Sequence, residues 1–345
     1  MSFPVIKVFL LTTLSFVVAL AWMPALLRLL TRFRIGKQIR DEQSAPIFSS
    51  LHRGKSGTPT MGGILIWGTV LFLALLFFVL SIVFNGFFST LNFLTRPQTL
   101  LPLGALVASA IVGFVDDLYN VKRIGARGGG MRMRERILIY TAIAAVGAWW
   151  FFFKLDWDLL RVPFVGNFQI GWWYIPIFIF IIVATAFSVN ETDGLDGLAG
   201  GTLLAAFAAY GAIAFSQGKI DLAVFCGVIV GALFAFLWEN IYPARFFMGD
   251  TGAMSLGVTL GIVAMLTNSV LLLPVIGSIF VFESLSVIVQ MVAKRFWKRK
   301  VLLSAPVHHH LQAVGWPEPQ IVMRFWVIAA VSAVVGLILS FLDRG

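Results

Sequence analysis

The chain has 345 residues, of which 59% are hydrophobic and only 12% are charged, and its mean hydropathy is +0.92. Soluble domains carry roughly a quarter charged residues, so a water-soluble fold is excluded, and 33 Phe with 11 Trp exclude a disordered chain. The net charge of +10 lies in Lys and Arg blocks between apolar runs, which disfavours nucleic-acid binding, and the single Cys226 excludes a disulfide framework.

Ten apolar stretches predict membrane-crossing helices, because a bilayer core about 30 Å thick requires roughly 20 apolar residues of helix. They cover residues 8–30, 61–84, 100–115, 137–153, 173–189, 197–215, 222–238, 253–267, 270–292 and 322–342. The third and eighth are short. A cleaved signal over the first stretch is the weaker alternative, because its removal would spoil the charge pattern of the remaining loops. We expect an all-α, polytopic membrane protein with one domain over residues 1–345.

The loops between these stretches differ in charge. Of the 26 Lys and Arg residues, 19 fall on one side of the predicted membrane, in loops 31–60, 116–136, 188–197, 239–252 and 294–324. The positive-inside rule makes this side cytoplasmic and places both termini outside. The same side holds 11 of the 16 acidic residues, which orientation alone does not require. We expect an active site on the cytoplasmic face, formed by these five loops.

Adjacent carboxylates at Asp116 and Asp117 end the third stretch. Because the C-terminal end of a helix is already negative, such a pair needs a bound cation or one protonated member. A solvated helix end with two harmless charges is the alternative. The pair therefore favours a metal site or a proton-transfer group.

Two further motifs carry polar groups on the same side. Asn190–Gly201 holds three acids among glycines that permit close approach to a ligand, whereas N-capping would explain only one acid. Glu239–Gly252 contains the aromatic pair Phe246 and Phe247, which suits either a lipid interface or a stacked base. It also contains Asp250, which opens the next helix and for which N-capping is a competing explanation.

Histidines and glycines complete the pattern. In the run His308–His310, neighbours on a helix lie 100° apart, so the three cannot serve one zinc centre. Lys55–Gly63 has the hydroxyl and glycine content of an anion cradle without the spacing of an ATPase loop. Glu283 lies inside the ninth stretch, where a functional role and a helix-pairing role are equally plausible.

This collection of groups suits phosphoryl transfer to or from a soluble polyanion beside the membrane. Mg²⁺ takes carboxylate oxygens together with substrate phosphates and rarely has an all-protein cage. Four motifs, Gly113-Phe-Val-Asp-Asp, Asn190-x-Thr-Asp-Gly-Leu-Asp-Gly-Leu-Ala, Phe247-Met-Gly-Asp-Thr-Gly and Pro306-Val-His-His-His-Leu, closely resemble those of the phospho-N-acetylmuramoyl-pentapeptide transferases. These enzymes belong to the polyprenyl-phosphate N-acetylhexosamine-1-phosphate transferase superfamily, and the resemblance spans essentially the whole chain.

The resemblance implies a Mg²⁺-dependent transfer of phospho-MurNAc-pentapeptide from UDP-MurNAc-pentapeptide to undecaprenyl phosphate, with release of UMP. It also implies a homodimer among the lipids of a bacterial plasma membrane, the inner membrane, with the active site on its cytoplasmic face. By analogy the catalytic residues are Asp116, Asp117, Asp250 and His309, with Asp250 and Asp117 as magnesium ligands. The implied substrate-binding residues are Lys55, Thr60, Asn190, Asp193, Gly194, Leu195, Asp196, Asn240, Phe247, Gln290, His308 and His310.

Two departures from the family pattern affect these expectations. Glu191 stands where a small or apolar residue is usual, and Arg136, in the unusual stretch 127–136, stands where a Lys is expected. Two other functions remain open: a transferase for UDP-GlcNAc or a related sugar nucleotide, and a transporter or flippase. A transporter would place polar residues along a path through the bilayer, whereas here most of the charged residues gather at one face.

Overall fold

The computed structural model describes residues 2–33, 35–36, 55, 57–84, 86–125 and 129–344, so most of loop 31–60, together with Arg127, lies outside the described part. Each of the ten apolar stretches forms helix. The helices are α1 (Ser2–Arg32), α2 (Gly63–Val83), α3 (Phe87–Leu91), α4 (Leu100–Val121), α5 (Met133–Trp149), α6 (Tyr174–Thr192), α7 (Leu198–Ser216), α8 (Ile220–Asn240), α9 (Asp250–Leu266), α10 (Leu273–Ile276), α11 (Ser278–Val292), α12 (Val307–Ala313) and α13 (Glu318–Leu342).

Eight helices in the described part of the chain are long and apolar enough to cross a membrane. The segments Val270–Ile276 and Ser278–Trp297 pass the same test only together and are bent by 83°, which makes them a broken span or a re-entrant loop. The helix Asp250–Leu266 is apolar but shorter, at 17 residues. The chain is therefore a polytopic membrane protein.

The short helix α9 lies at the centre of the bundle. Every residue from Thr251 to Leu266 is buried, and the helix contacts α4 and α6 most extensively. Around this centre α1 packs on α8, and α7 packs on both α8 and α13. Because protein rather than lipid surrounds α9, its length need not match the bilayer core.

Two helix ends that carry predicted site residues extend beyond the predicted stretches. Helix α4 continues to Val121, so Asp116 and Asp117 belong to its last turns and not to a loop that begins at residue 116. Helix α6 likewise continues to Thr192, which shortens the predicted loop 188–197. In both places the helix carries polar residues beyond the apolar stretch, and apolar pattern alone underestimates such ends.

One small β element departs from the all-α expectation. Strands β1 (Leu159–Val162) and β2 (Gly166–Gln169) form an antiparallel hairpin between α5 and α6. The hairpin lies at the opposite end of the bundle from Asp250, because α5 and α6 join it to the helix ends that are farther from the carboxylates. The bundle therefore has two distinct polar ends.

Candidate active site

The predicted site residues meet at one end of the bundle. Asp117 near the end of α4 contacts the first residues of α9, and Asn190 near the end of α6 contacts Asp250. Asn240, the last residue of α8, contacts Gly197 directly before α7. Side chains that are far apart in sequence therefore face one common region, as the sequence analysis expected.

Asp117 binds the start of the central helix. Its two carboxylate oxygens accept backbone N–H bonds from Asp250, at 3.1 Å, and from Thr251, at 3.0 Å. A buried carboxylate is favourable here because the N-terminus of a helix carries partial positive charge and unpaired N–H groups. The close approach needs Gly113, where a Cβ would lie 2.4 Å from the Asp250 carbonyl oxygen. Asp117 thus anchors α4 against α9.

Asp116 and Asp250 face each other across one guanidinium group. Arg136 of α5 places Nη2 2.5 Å from Asp116 Oδ2 and 3.0 Å from Asp250 Oδ2. The remaining oxygens are also engaged, since Met131 N donates to Asp116 Oδ1 at 2.5 Å and Asn190 Nδ2 donates to Asp250 Oδ1 at 2.6 Å. The carboxylates of two different helices therefore lie on either side of one position, and together they stabilise a cation there.

The donor set suits a magnesium ion that is completed by substrate. Among the residues that the structure describes, no group of three or more His, Cys, Asp or Glu side chains is arranged to hold a metal. Mg²⁺ is usually held by one or two carboxylates together with water and phosphate oxygens. Asp116 and Asp250 fit that requirement where Arg136 now bridges them. Asp117 already uses both oxygens on backbone groups, and its role as a metal ligand stays a prediction.

A second cluster surrounds Lys55. Its ammonium group lies 2.6 Å from Asp196 Oδ1 and 2.5 Å from Glu318 Oε1, and 5.9 Å from the centre of the Phe247 ring. Asp196 is buried, and its other oxygen accepts the N–H of Ala244 at 3.0 Å. The cluster combines a held cation with a mostly buried aromatic ring, which suits a flat base next to a phosphate.

Asn240 and Thr60 belong to the framework beneath this cluster. Asn240 is buried, accepts the N–H of Gly197 and donates to the Phe246 carbonyl, at 3.0 and 2.8 Å. Thr60 is also buried, and its N–H donates to Ile35 O at 2.9 Å. The N–H of Phe247 donates to Pro59 O at 2.8 Å. These bonds join the two segments on either side of the aromatic ring.

The triple histidine reaches this region through His308. Its ring is buried, with Nδ1 2.9 Å from Glu283 Oε2 of α11. A Cβ at Gly194 would lie 2.1 Å from His308 Nε2, so only glycine fits beside this ring. Leu195, next along the loop, is buried in an apolar cluster with Ile279 and other residues. The Asn190–Gly201 segment is thus fixed against α12 and α13.

The other two histidines have different neighbours, as the 100° spacing predicts. His309 Nδ1 lies 3.0 Å from Gln312 Oε1, and His310 Nδ1 accepts the N–H of Leu303 at 3.2 Å. Gln290 is buried and bonds the backbone of 301–302 through both of its amide atoms. Asp193 is half-buried in the short loop after α6.

Two residues outside the predicted set take central places. Arg136 bridges Asp116 and Asp250, and Glu318 pairs with Lys55 and also accepts the N–H of Asp196 at 2.8 Å. The acidic count of the charged loops included Glu318, but nothing in its local sequence indicated a partner 263 residues away. Glu191 lies beside the site and accepts a hydrogen bond from Ser284 at 2.7 Å.

A membrane-embedded helical bundle with paired carboxylates and a cationic pocket at one end suits an integral membrane enzyme that acts on phosphorylated substrates. The model for Glycosyl transferase family 4 matches residues 99–268, and Phospho-N-acetylmuramoyl-pentapeptide-transferase signature 1 matches residues 55–66.

Proteins named phospho-N-acetylmuramoyl-pentapeptide-transferase match over most of the chain. The relative from Chloroflexus aurantiacus is 39% identical over 97% of this chain and 90% of its own length, and that from Chloroflexus aggregans 40% over 90% and 83%. The one from Geobacillus thermodenitrificans is 37% identical over 94% of both. This chain belongs to the phospho-N-acetylmuramoyl-pentapeptide-transferase family, and it is a transferase.

Proposed function

We propose that the protein transfers phospho-MurNAc-pentapeptide from UDP-MurNAc-pentapeptide to undecaprenyl phosphate, releasing UMP. This proposal rests on one observation: Asp116 and Asp250 both contact the Arg136 guanidinium, beside the Lys55 cluster. A diphosphate bound between these two places would have its scissile bond next to the carboxylates and its nucleotide next to Phe247. The names of the relatives support the identity of the sugar nucleotide.

The reaction we propose is a single displacement. An oxygen of the lipid phosphate forms a bond to the phosphorus that carries MurNAc. The bond from that phosphorus to the bridging oxygen breaks, and UMP leaves with the electron pair. A phosphate monoester is already a competent nucleophile near neutral pH, so no aspartyl-phosphate intermediate is needed. Asp116 would orient the lipid phosphate or accept its proton.

Magnesium is part of this proposal. Bound by Asp116 and Asp250, with Asp117 as a further candidate, it would neutralise charge on the diphosphate. The chain's own groups would position the substrates: Asn190 holds Asp250 in place, and Lys55 and Arg136 present positive charge to phosphate oxygens. His309, beside the anchored His308, would contact the sugar phosphate or the lipid phosphate.

The membrane arrangement we propose has ten crossings, with both termini outside and the active site at the cytoplasmic face of the plasma membrane. The positive loops support this orientation. Helix α9 would be the short crossing that protein surrounds, and the bent pair around Gly277 would be another. A homodimer among membrane lipids is proposed from the family resemblance alone.

Release of UMP tests the proposal. Purified protein in detergent with magnesium and undecaprenyl phosphate should release UMP from UDP-MurNAc-pentapeptide and not from UDP-GlcNAc. Asp116→Asn and Asp250→Asn should each lower the rate by about a hundredfold or more. Arg134→Gln, an exposed position two residues from Arg136, is the control. Turnover of UDP-GlcNAc alone would assign another donor, and full activity in both Asn variants would refute the site.

A further inference from the structure

The end of the bundle opposite the carboxylates contains an open cavity of about 440 Å³. Its lining residues are all polar, and three of them are cationic: Arg161, Ser216, Gln217, Lys219 and Arg344. The site described above lies at the start of α7, and this cavity lies at the end of the same helix. Nineteen residues of helix separate the two by about 28 Å. The cavity therefore takes no part in the transfer reaction.

The positive charge in this cavity is only partly compensated. Arg161 pairs with Asp343, Nε to Oδ2, at 2.5 Å, and also donates to the Asp343 carbonyl oxygen at 2.6 Å. Lys219 instead donates to the carbonyl oxygen of Leu266 at 2.5 Å, and Arg344 Nη2 to that of Thr267 at 2.9 Å. Lys219 and Arg344 thus donate to neutral oxygens, and the single carboxylate of Asp343 interacts with Arg344 as well as with Arg161.

These two cations also repel each other. Burial, and then the charge of Arg344, lower the pKa of Lys219 from 10.5 to about 8. The ammonium lies 5.0 Å from the centre of the Trp157 ring, which adds an aromatic partner but no negative charge. An anion in the cavity would relieve the repulsion and contact Lys219 and Arg344 together.

The surroundings of the cavity are apolar and exposed. Phe164 and Val165 at the tip of the hairpin are 62% and 69% exposed, and Leu342 at the end of α13 is 68% exposed. Phe164 N donates to Asp343 Oδ1, at 2.6 Å, which ties the hairpin tip to the residue that also binds Arg161. A charged recess with an apolar rim at the end of membrane helices matches a phospholipid, because its phosphate and its acyl chains are joined in one molecule through glycerol.

We propose that this cavity binds the headgroup of an anionic phospholipid, with the phosphate diester against Lys219 and Arg344 and the acyl chains along the hairpin tip and α13. This lipid is separate from the lipid phosphate that takes part in the reaction, because the two sites lie at opposite ends of the bundle. Its binding would hold the hairpin, α7 and α13 together at the membrane surface.

Native mass spectrometry of the full-length protein in detergent tests this proposal. The probes are dioleoylphosphatidylglycerol, dioleoylphosphatidylcholine and inorganic phosphate. The double variant Lys219→Gln/Arg344→Gln should bind phosphatidylglycerol about tenfold or more weakly than the wild type, with UMP release unchanged. The matched control is Arg96→Gln/Lys154→Gln, because these cations lie at the same end, also beside Trp rings, but outside the cavity.

The possible results lead to different conclusions. Loss of phosphatidylglycerol binding in the double variant, but not in the control, supports the proposal. The proposal is overturned if the two double variants bind phosphatidylglycerol equally well, or if the wild type binds phosphatidylcholine as well as phosphatidylglycerol. Binding of inorganic phosphate without a preference for the anionic lipid would make the cavity a site for a soluble anion. If the double variant does not fold, Arg344→Gln alone gives the same comparison, because this side chain is exposed.

Discussion

Substitution of Arg136 directly tests the position between Asp116 and Asp250 as a site for a cation. One guanidinium nitrogen contacts both Asp116 and Asp250, so Arg136→Gln leaves two facing carboxylates without their counter-ion. Breaking a buried ion pair costs about 3–5 kcal/mol, and the 20% exposure of the Arg136 side chain reduces the expected loss to about 2–3 kcal/mol. The metal-free variant should therefore unfold at a lower temperature than the wild type.

The same change should strengthen magnesium binding. If magnesium binds between Asp116 and Asp250 as we propose, it must displace the guanidinium in the wild type, whereas in Arg136→Gln it would meet two uncompensated carboxylates. Added magnesium should therefore raise the apparent Tm of Arg136→Gln more than that of the wild type. The magnesium concentration that gives half of this increase should also be lower for Arg136→Gln. A lower stability without metal together with a higher affinity for magnesium distinguishes loss of the counter-ion from general damage to the fold, which would lower both.

Thermal unfolding in detergent, followed over a magnesium titration, measures both quantities. Arg134→Gln, on the same helix and exposed, is the matched control and should behave as the wild type does. Calcium and sodium at equal ionic strength separate specific binding from screening. If magnesium stabilises Arg136→Gln no more than Arg134→Gln, the metal does not bind between these carboxylates.

Three further predictions concern other residues. The pKa of Lys219 falls from 10.5 to about 8 on folding, so between these pH values the unfolded chain binds more protons than the folded chain. As pH rises from 8 to 10.5, the apparent Tm of the wild type should therefore increase relative to that of Lys219→Met. Parallel curves of Tm against pH for the two proteins would contradict this. Glu283→Ala should cost about 1–3 kcal/mol, because His308 loses its buried hydrogen-bond partner, and hydrogen exchange at 307–313 should quicken; unchanged protection there would disprove the anchor. Gly194→Ala should abolish UMP release yet leave membrane insertion intact, because a methyl group displaces His308, and normal activity would refute that contact.

Much of the arrangement follows from the sequence. Apolar stretches require helices in lipid, because every backbone group must be bonded internally, and all ten predicted stretches are helical. The gathering of carboxylates in alternate loops indicated a common site, and Asp116, Asp117, Asn190 and Asp250 do lie together. The separate neighbours of the three histidines also follow from helix geometry alone.

Other features depend on contacts between distant segments. The ends of α4 and α6 extend past their apolar stretches because Asp117 and Asn190 find polar partners on α9, which a hydrophobic pattern does not contain. The hairpin and the 83° bend before Ser278 are likewise invisible to a search for uninterrupted apolar runs.

The sequence by itself determined that the protein crosses a membrane, because long apolar helices are stable in lipid, and that most of its charged residues lie in alternate loops between them. Only the tertiary structure decided that Arg136 lies between Asp116 and Asp250, and that Lys55 pairs with Glu318. Such pairs depend on how helices pack in three dimensions, and a charge carries no sequence signal of the partner that it will meet there.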